Sequence, residues 1–289
     1  MKNEAAGRAL VNLAEDEQKN GKQIVHFITK ETLESLRSSK SFESLKKYLP
    51  DSNDSINEFI SPLGKYPHAY VLACIMDRQI RAERVWIIPY LIYKKLGNRF
   101  DINELYGMSK DDFDKLFQDI SGHRFKSAMA EYFMKAVKRL HDVYGGDASR
   151  IWNDNPSSAT LICRFLEFNG AGRKIATMAA NILYRQFKIK LKDTHCIDVS
   201  PDIHIQRVFY RLGLVDQKYA DKDNKKNELN IDIDQVIYAA RDLNPKYPGL
   251  VDYTCWDIGR NFCAKDPKKA KCDECHLSRE CKKVGVRVD

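Results

Sequence analysis

Half of the chain's eight cysteines fall in one short stretch near its end, "CAKDPKKAKCDECHLSREC", from Cys263 to Cys281. Cys263, Cys272, Cys275 and Cys281 are spaced C-x8-C-x2-C-x5-C. The N-terminus, "MKNEAAGRALVNLAEDEQKNGK", lacks an apolar run of signal-peptide length, so export is not expected. A reducing interior disfavours stable disulfides and makes so tight a cysteine set a metal site. Four thiolates suit tetrahedral zinc or an iron–sulfur cluster. Zinc modules usually pair two short knuckles and this segment has one, but spacing alone leaves both metals open. Cys74, Cys163, Cys196 and Cys255 stand singly among apolar neighbours, where a small buried side chain is the expected role.

Two further segments carry groups that could do chemistry. In "FLEFNGAGRKIATMAANIL" a helix should end near Phe168 and another should begin near Arg173. Gly170 and Gly172 bracket the turn, where glycine tolerates positive φ and lets another backbone come close. The amides and positive dipole at the new helix start would form a phosphate site beside Arg173 and Lys174. This is a helix-hairpin-helix, a sequence-independent grip on a nucleic-acid backbone. In "IDVSPDIHIQRVFYRLGL", Ser200 and Pro201 read as N-cap and first helical residue, which places Asp202 in the first turn. Taken alone, Asp202 would only complement a helix dipole, and Lys174 would be a solvated lysine.

The elements that must position these groups read as helices almost throughout. "AYVLACIMDRQIRAERVWIIPYLIYKKLG" has apolar residues at helical spacing, with a start or kink expected at Pro89. Ser109 to Asp112 form a capping box ahead of "DFDKLFQDI". "RFKSAMAEYFMKAVKRLHDVYGG" is an amphipathic helix stopped at Gly145-Gly146, and Asn155-Pro156 precede "SSATLICRFLEF". No strand alternation and no internal repeat stand out, and "VDQKYADKDNKKNELN" is a charged, apolar-poor loop.

At 289 residues the chain can bury a sizeable core in one or two domains. No stretch approaches a membrane span. The net charge of +8 favours a polyanionic partner. From Arg260 to Asp289 there are nine Lys or Arg against five Asp or Glu, so the cysteine loop with Lys268 and Lys269 reads either as a basic, phosphate-facing surface or, taken alone, as a solvated basic tail.

Together, four segments resemble the endonuclease III branch of the helix-hairpin-helix DNA glycosylases, in that family's order over roughly residues 67 to 283. They are "MDRQIRAER", "NGAGRK", "PDIHIQRV" and "IGRNFC" leading into the cysteine loop. The resemblance implies an all-α fold of two helical lobes, with DNA lying in the cleft between them. One lobe would be a six-helix domain at 62–196 holding the hairpin at about 161–187. The other would be a cluster lobe at 197–289, with residues 1–61 packing on it as an extension. It further implies that Lys174 is the amine nucleophile, Asp202 the carboxylate that assists it, and Cys263, Cys272, Cys275 and Cys281 the ligands of a [4Fe–4S] cluster, which decides iron–sulfur over zinc. Gln79 matches the residue inserted into the gap left by the flipped nucleotide, with His123 and Arg124 lining the opposite side. There are departures. The first cysteine gap is eight residues where six is usual, Asn169 stands where proline is common, and V-D-T-H is replaced by P-D-I-H.

The implied activity is base excision repair. The base to be removed, a pyrimidine by the family's default, would be flipped out of double-stranded DNA. The Lys174 amine would attack C1′, and the resulting imine would allow β-elimination at the abasic site, giving AP lyase activity. A helix N-terminus and partial desolvation should both disfavour the charged form of Lys174. Asp202 would take the proton or stabilise the developing oxocarbenium charge. The adenine-specific relatives carry a glutamate where this chain has Ala73, so adenine excision is not expected. Two alternatives remain: a monofunctional glycosylase using water activated by Asp202, and an iron–sulfur DNA-binding protein without catalysis. A monomer inside the cell is expected, bound to DNA and to no membrane.

Overall fold

The apolar segment from Pro67 sets the organisation of the protein. Pro67 opens a helix, Pro67–Met76, in which every residue from His68 to Met76 is buried. A helix apolar on all sides has to be enclosed on all sides. The computed structural model describes residues 3–21, 27–78, 82–120, 125–217 and 231–286. Gln79, His123 and Arg124, expected to act at the flipped nucleotide, lie outside the described residues, as does most of the charged loop at 216–230. Among the described residues the chain is helical without strands; one isolated antiparallel bridge joins Gln217 and Ile231. No helix among them is long and apolar enough to cross a membrane.

The chain divides into two compact units, Met1–Ile24 with Ser157–Ile162 and Leu191–Asp289, and Val25–Pro156 with Cys163–Lys190. The division departs from the expected boundaries, because residues 27–61 belong with the hairpin and not with the cysteine loop. Aromatic packing is the reason. Phe27 lies 4.6 Å from the Trp86 ring, and Phe59 packs at 4.8 Å on Tyr93 and 5.2 Å on Phe100. Such rings bury large areas and gain further from edge and offset contacts. The first helix, Glu4–Lys19, does belong with the cysteine loop. Asn3 caps it and also donates to the Leu212 and Glu280 carbonyls at 2.7 and 2.9 Å, while Thr254 donates to Glu17 at 2.6 Å.

Local signals appear where the sequence places them. Pro89 lies in the first turn of Ile88–Lys95, and Lys126–Tyr144 ends at Gly145. The capping box is reciprocal: the Ser109 amide donates to Asp112 Oδ2 at 2.9 Å, and the Asp112 amide donates to Ser109 Oγ at 3.2 Å. The Ser109 hydroxyl and amide hold the Asp112 carboxyl below the usual carboxylate range.

Candidate functional site

The hairpin turn falls in the unit that includes Cys163–Lys190, between helices Ser158–Leu166 and Arg173–Arg185. Gly170 has φ +93°, and a β-carbon there would lie 3.2 Å from the Tyr132 ring, so the turn needs glycine for both conformation and contact. Gly172 differs from the sequence expectation of a strained turn residue. It is extended, exposed and open, and it serves as the N-cap with no side chain to cap the amides. The helix start is therefore an uncovered positive end, with Arg173 and Lys174 exposed on it.

Several contacts hold this turn in place. Arg164 pairs with both oxygens of Asp154 at 2.7 Å and donates to the Ile151 carbonyl at 2.9 Å. Arg139 pairs with Glu167 and lies over the Phe168 ring at 5.7 Å. Tyr70 donates from the all-buried helix to the Ala179 carbonyl at 2.7 Å, tying that helix to Arg173–Arg185. The same packing brings Asp77, just past the end of Pro67–Met76, to Lys174: Nζ donates to Asp77 Oδ2 at 3.1 Å. The lysine side chain is 44 % exposed and the aspartate 11 %. The sequence reading did not single out Asp77, because a pairing across 97 residues leaves no local pattern.

Asp202 lies in the other unit. It is not in the first turn but is itself the N-cap of Ile203–Leu212, where Oδ1 accepts from the amides of His204 and Ile205 at 2.8 and 2.9 Å. Ser200 does not cap, because it is buried with its amide donating to Asp252. Asp202 Oδ2 takes no hydrogen bond among the described residues. A carboxylate with one oxygen spent on a helix start and the other open can still accept a proton or face a cation.

Helix Ile203–Leu212 also organises the cysteine loop, through two buried arginines that the sequence reading passed over. Arg207 donates to the Gly259 and Cys263 carbonyls, both at 2.5 Å, and burial lowers its pKa. Arg211 donates to the Ala264 carbonyl at 2.7 Å and to Cys263 Sγ at 3.2 Å. Their four-residue spacing in "IQRVFYRL" puts both on one face of an amphipathic helix, and arginine on a buried face is the signal that was available. Helix Asp252–Asn261 crosses so close that a β-carbon on Gly259 would lie 2.7 Å from His204 Cβ.

The four loop cysteines are free and line one cavity of about 30 Å³, walled by Val208, Leu212, Ile258, Phe262 and Leu277. That exceeds the space one water needs. Besides the Arg211 contact, the Lys283 amide donates to Cys281 Sγ at 3.3 Å. Burial pushes the Cys275 thiol up and the Cys281 thiol to about 11, so metal binding here would release protons. Four thiols, an apolar wall and donors aimed at sulfur fit a thiolate-ligated metal group. Among the described residues no three His, Cys, Asp or Glu side chains already converge as a site for a single ion. The longer gap after Cys263 folds as a small turn, Pro267–Lys269, capped by Asp266 and closed by the Lys271 amide on the Phe262 carbonyl at 2.8 Å. Lys268 and Lys269 are exposed on it.

With this geometry in view, solved structures identify the architecture. A non-covalent endonuclease III–DNA complex matches at TM-score 0.52 and 16 % identity, over 88 % of this chain and 94 % of that one. A trapped endonuclease III–DNA covalent intermediate with an estranged adenine matches at 0.51 and 18 %, over 80 % and 92 %. The fold is that of endonuclease III. It is all-helical among the described residues. A thermostable thymine-DNA glycosylase matches at 0.49 and 18 %, over 86 % and 96 %. No protein-family model and no curated protein sequence matches the chain.

Proposed function

We propose that this protein is a base-excision DNA glycosylase with AP lyase activity, using Lys174 as an amine nucleophile at C1′ of a flipped nucleotide, most simply a damaged pyrimidine. The observation that carries the reading is the exposed Lys174 amine at an uncapped, positive helix start, in a fold shared with DNA complexes of endonuclease III. The start of the hairpin helix at Gly172, Arg173 and Lys174 would hold a phosphate, which positions the strand without reading its sequence. Lys268 and Lys269 would contact the backbone further along, and Gln79, His123 and Arg124 would fill and flank the gap. Asp202, through its open Oδ2, would stabilise the positive charge that develops at C1′ as the base leaves.

In this reading Cys263, Cys272, Cys275 and Cys281 hold a [4Fe–4S] cluster. When bound, the cluster gives the basic loop a fixed centre, while Arg207 and Arg211 hold the start of that loop by its carbonyls. Iron and sulfide analysis of anaerobically purified protein tests this, and stoichiometric zinc without iron would overturn it.

The enzymatic test is borohydride trapping on an abasic duplex. Wild type should become irreversibly attached to DNA as the imine is reduced, whereas Lys174→Gln should bind the duplex and trap nothing. Trapping by Lys174→Gln would assign the chemistry to another amine. One observation favours a second reading: the ion pair with Asp77 suits a lysine that only binds phosphate, with water as nucleophile and Asp202 as base. Free base released without trapping by an active wild type would select it.

A further inference from the structure

The Lys174–Asp77 pair joins two helix ends of opposite polarity, each carrying the charge its own dipole opposes. Lys174 is the second residue of Arg173–Arg185, so its ammonium stands at a positive end. Asp77 directly follows Pro67–Met76, with its amide on the Cys74 carbonyl at 3.1 Å, so its carboxylate stands at a negative end. Charges placed this way are held by each other against the helices, and proton transfer between them removes both at once. A carboxylate that only needed a salt bridge would be better placed at a helix start. The two atoms are 3.1 Å apart, within direct transfer distance, and no other side chain among the described residues bonds the amine.

We propose that Asp77, and not Asp202, takes the proton that must leave the Lys174 ammonium before it can attack. The proposal rests on Lys174 being the nucleophile. At an abasic site the ammonium passes a proton to Asp77 Oδ2, and the freed nitrogen lone pair forms a bond to the C1′ aldehyde carbon. The carbonyl electron pair moves to oxygen, which takes the proton back from Asp77. Asp77 then carries a second proton from the nitrogen to that hydroxyl, which leaves as water while the nitrogen lone pair closes the C=N bond. Ammonium and aldehyde thus become iminium and water, with Asp77 regenerated as carboxylate. The surroundings suit a local exchange. Asp77 is nearly enclosed while the amine stays open on its other side. Among the described residues, Arg173 precedes Lys174, Arg78 lies over the Tyr132 ring at 5.1 Å, and burial pushes the Cys74 thiol far up, which keeps it neutral. Gly170 packs against the same Tyr132 ring that Arg78 covers, so the turn and the residue after Asp77 share one support.

The test is the rate of borohydride-trapped adduct on an abasic duplex, measured with DNA affinity from about pH 6 to about pH 9. Asp77→Asn keeps the shape but cannot hold a proton. It should bind DNA as wild type does and trap about 100-fold more slowly at neutral pH. The deficit should shrink as pH rises, because hydroxide replaces the missing base. Asp77→Ala, which opens space beside the amine, should recover rate on addition of formate, and this arm keeps the proposal testable if the amide variant folds poorly. Trapping by Asp77→Asn within a few-fold of wild type at neutral pH would overturn the proposal. So would a deficit that is equal at every pH and untouched by formate, since Asp77 would then only hold geometry. Either of those results, beside a wild type that traps, leaves the nucleophile reading standing. A catalytically active wild type that never traps removes both.

Discussion

Gly259→Ala sets two opposed effects against each other, and the structure decides the sign. The position is inside helix Asp252–Asn261, where alanine is favoured over glycine by about 0.8–1.0 kcal/mol. Against this, the added methyl would lie 2.7 Å from His204 Cβ and 3.0 Å from the His204 carbonyl oxygen. Carbon contacts are comfortable at about 3.5–4.0 Å, so the two helices must part by roughly 1 Å. The nearest atoms belong to the start of a helix and to a β-carbon, which cannot swing aside as a side-chain tip can. Inserting a methyl into such a contact costs about 1–3 kcal/mol. The net expectation is a loss of about 1 kcal/mol, a fall of about 1.5–2 °C in midpoint for a chain of this size. The helix that must move carries Asp202, Arg207 and Arg211, so if the loop cysteines hold the proposed cluster, iron retention on dialysis should fall along with stability. Differential scanning fluorimetry and iron analysis on the purified variant measure both. A variant as stable as wild type, or more so, would show that helix propensity outweighs the contact and would refute the close-packing argument.

Gly172→Asp should stabilise the hairpin helix by about 0.5–1 kcal/mol, by capping its open amides, yet weaken DNA binding; tighter binding would mean that these amides do not face phosphate. Lys268→Ala combined with Lys269→Ala should reduce the slope of log affinity against log salt by roughly 1.8, at about 0.9 per phosphate contact, and an unchanged slope would remove the loop from the interface. His68 is buried, with Nε2 donating to the Phe100 carbonyl at 2.7 Å, and burial lowers its pKa below 6.5. The unfolded chain therefore binds this proton more readily, and stability present above about pH 6.5 should be lost as pH falls below it. Urea midpoints at neutral and mildly acidic pH test this, and His68→Gln should flatten the trend.

What the sequence determined by itself is what adjacent residues settle among themselves. The capping box at Ser109–Asp112, the helix start beside Pro89 and the stop at Gly145 depend on backbone groups a few positions apart. The four loop cysteines stand out for the same reason, since they crowd into one short segment, and the structure puts all four on one cavity. The N-cap of the Asp202 helix marks the limit of this logic. Ser200 and Asp202 are both good caps, and the choice fell to Asp202 because Ser200 is buried against Asp252, a contact across 52 residues. Only the tertiary structure could place residues 27–61 with the hairpin, because their aromatic rings find partners through packing and not through any local pattern. Nor does anything around "IMDR" mark Asp77 as the partner of an amine in "AGRK". That pairing exists because an all-buried helix, tied through Tyr70 to the hairpin helix, brings its C-terminal end beside the hairpin's N-terminal one, and two helix ends of opposite polarity meet where their charged residues can exchange a proton.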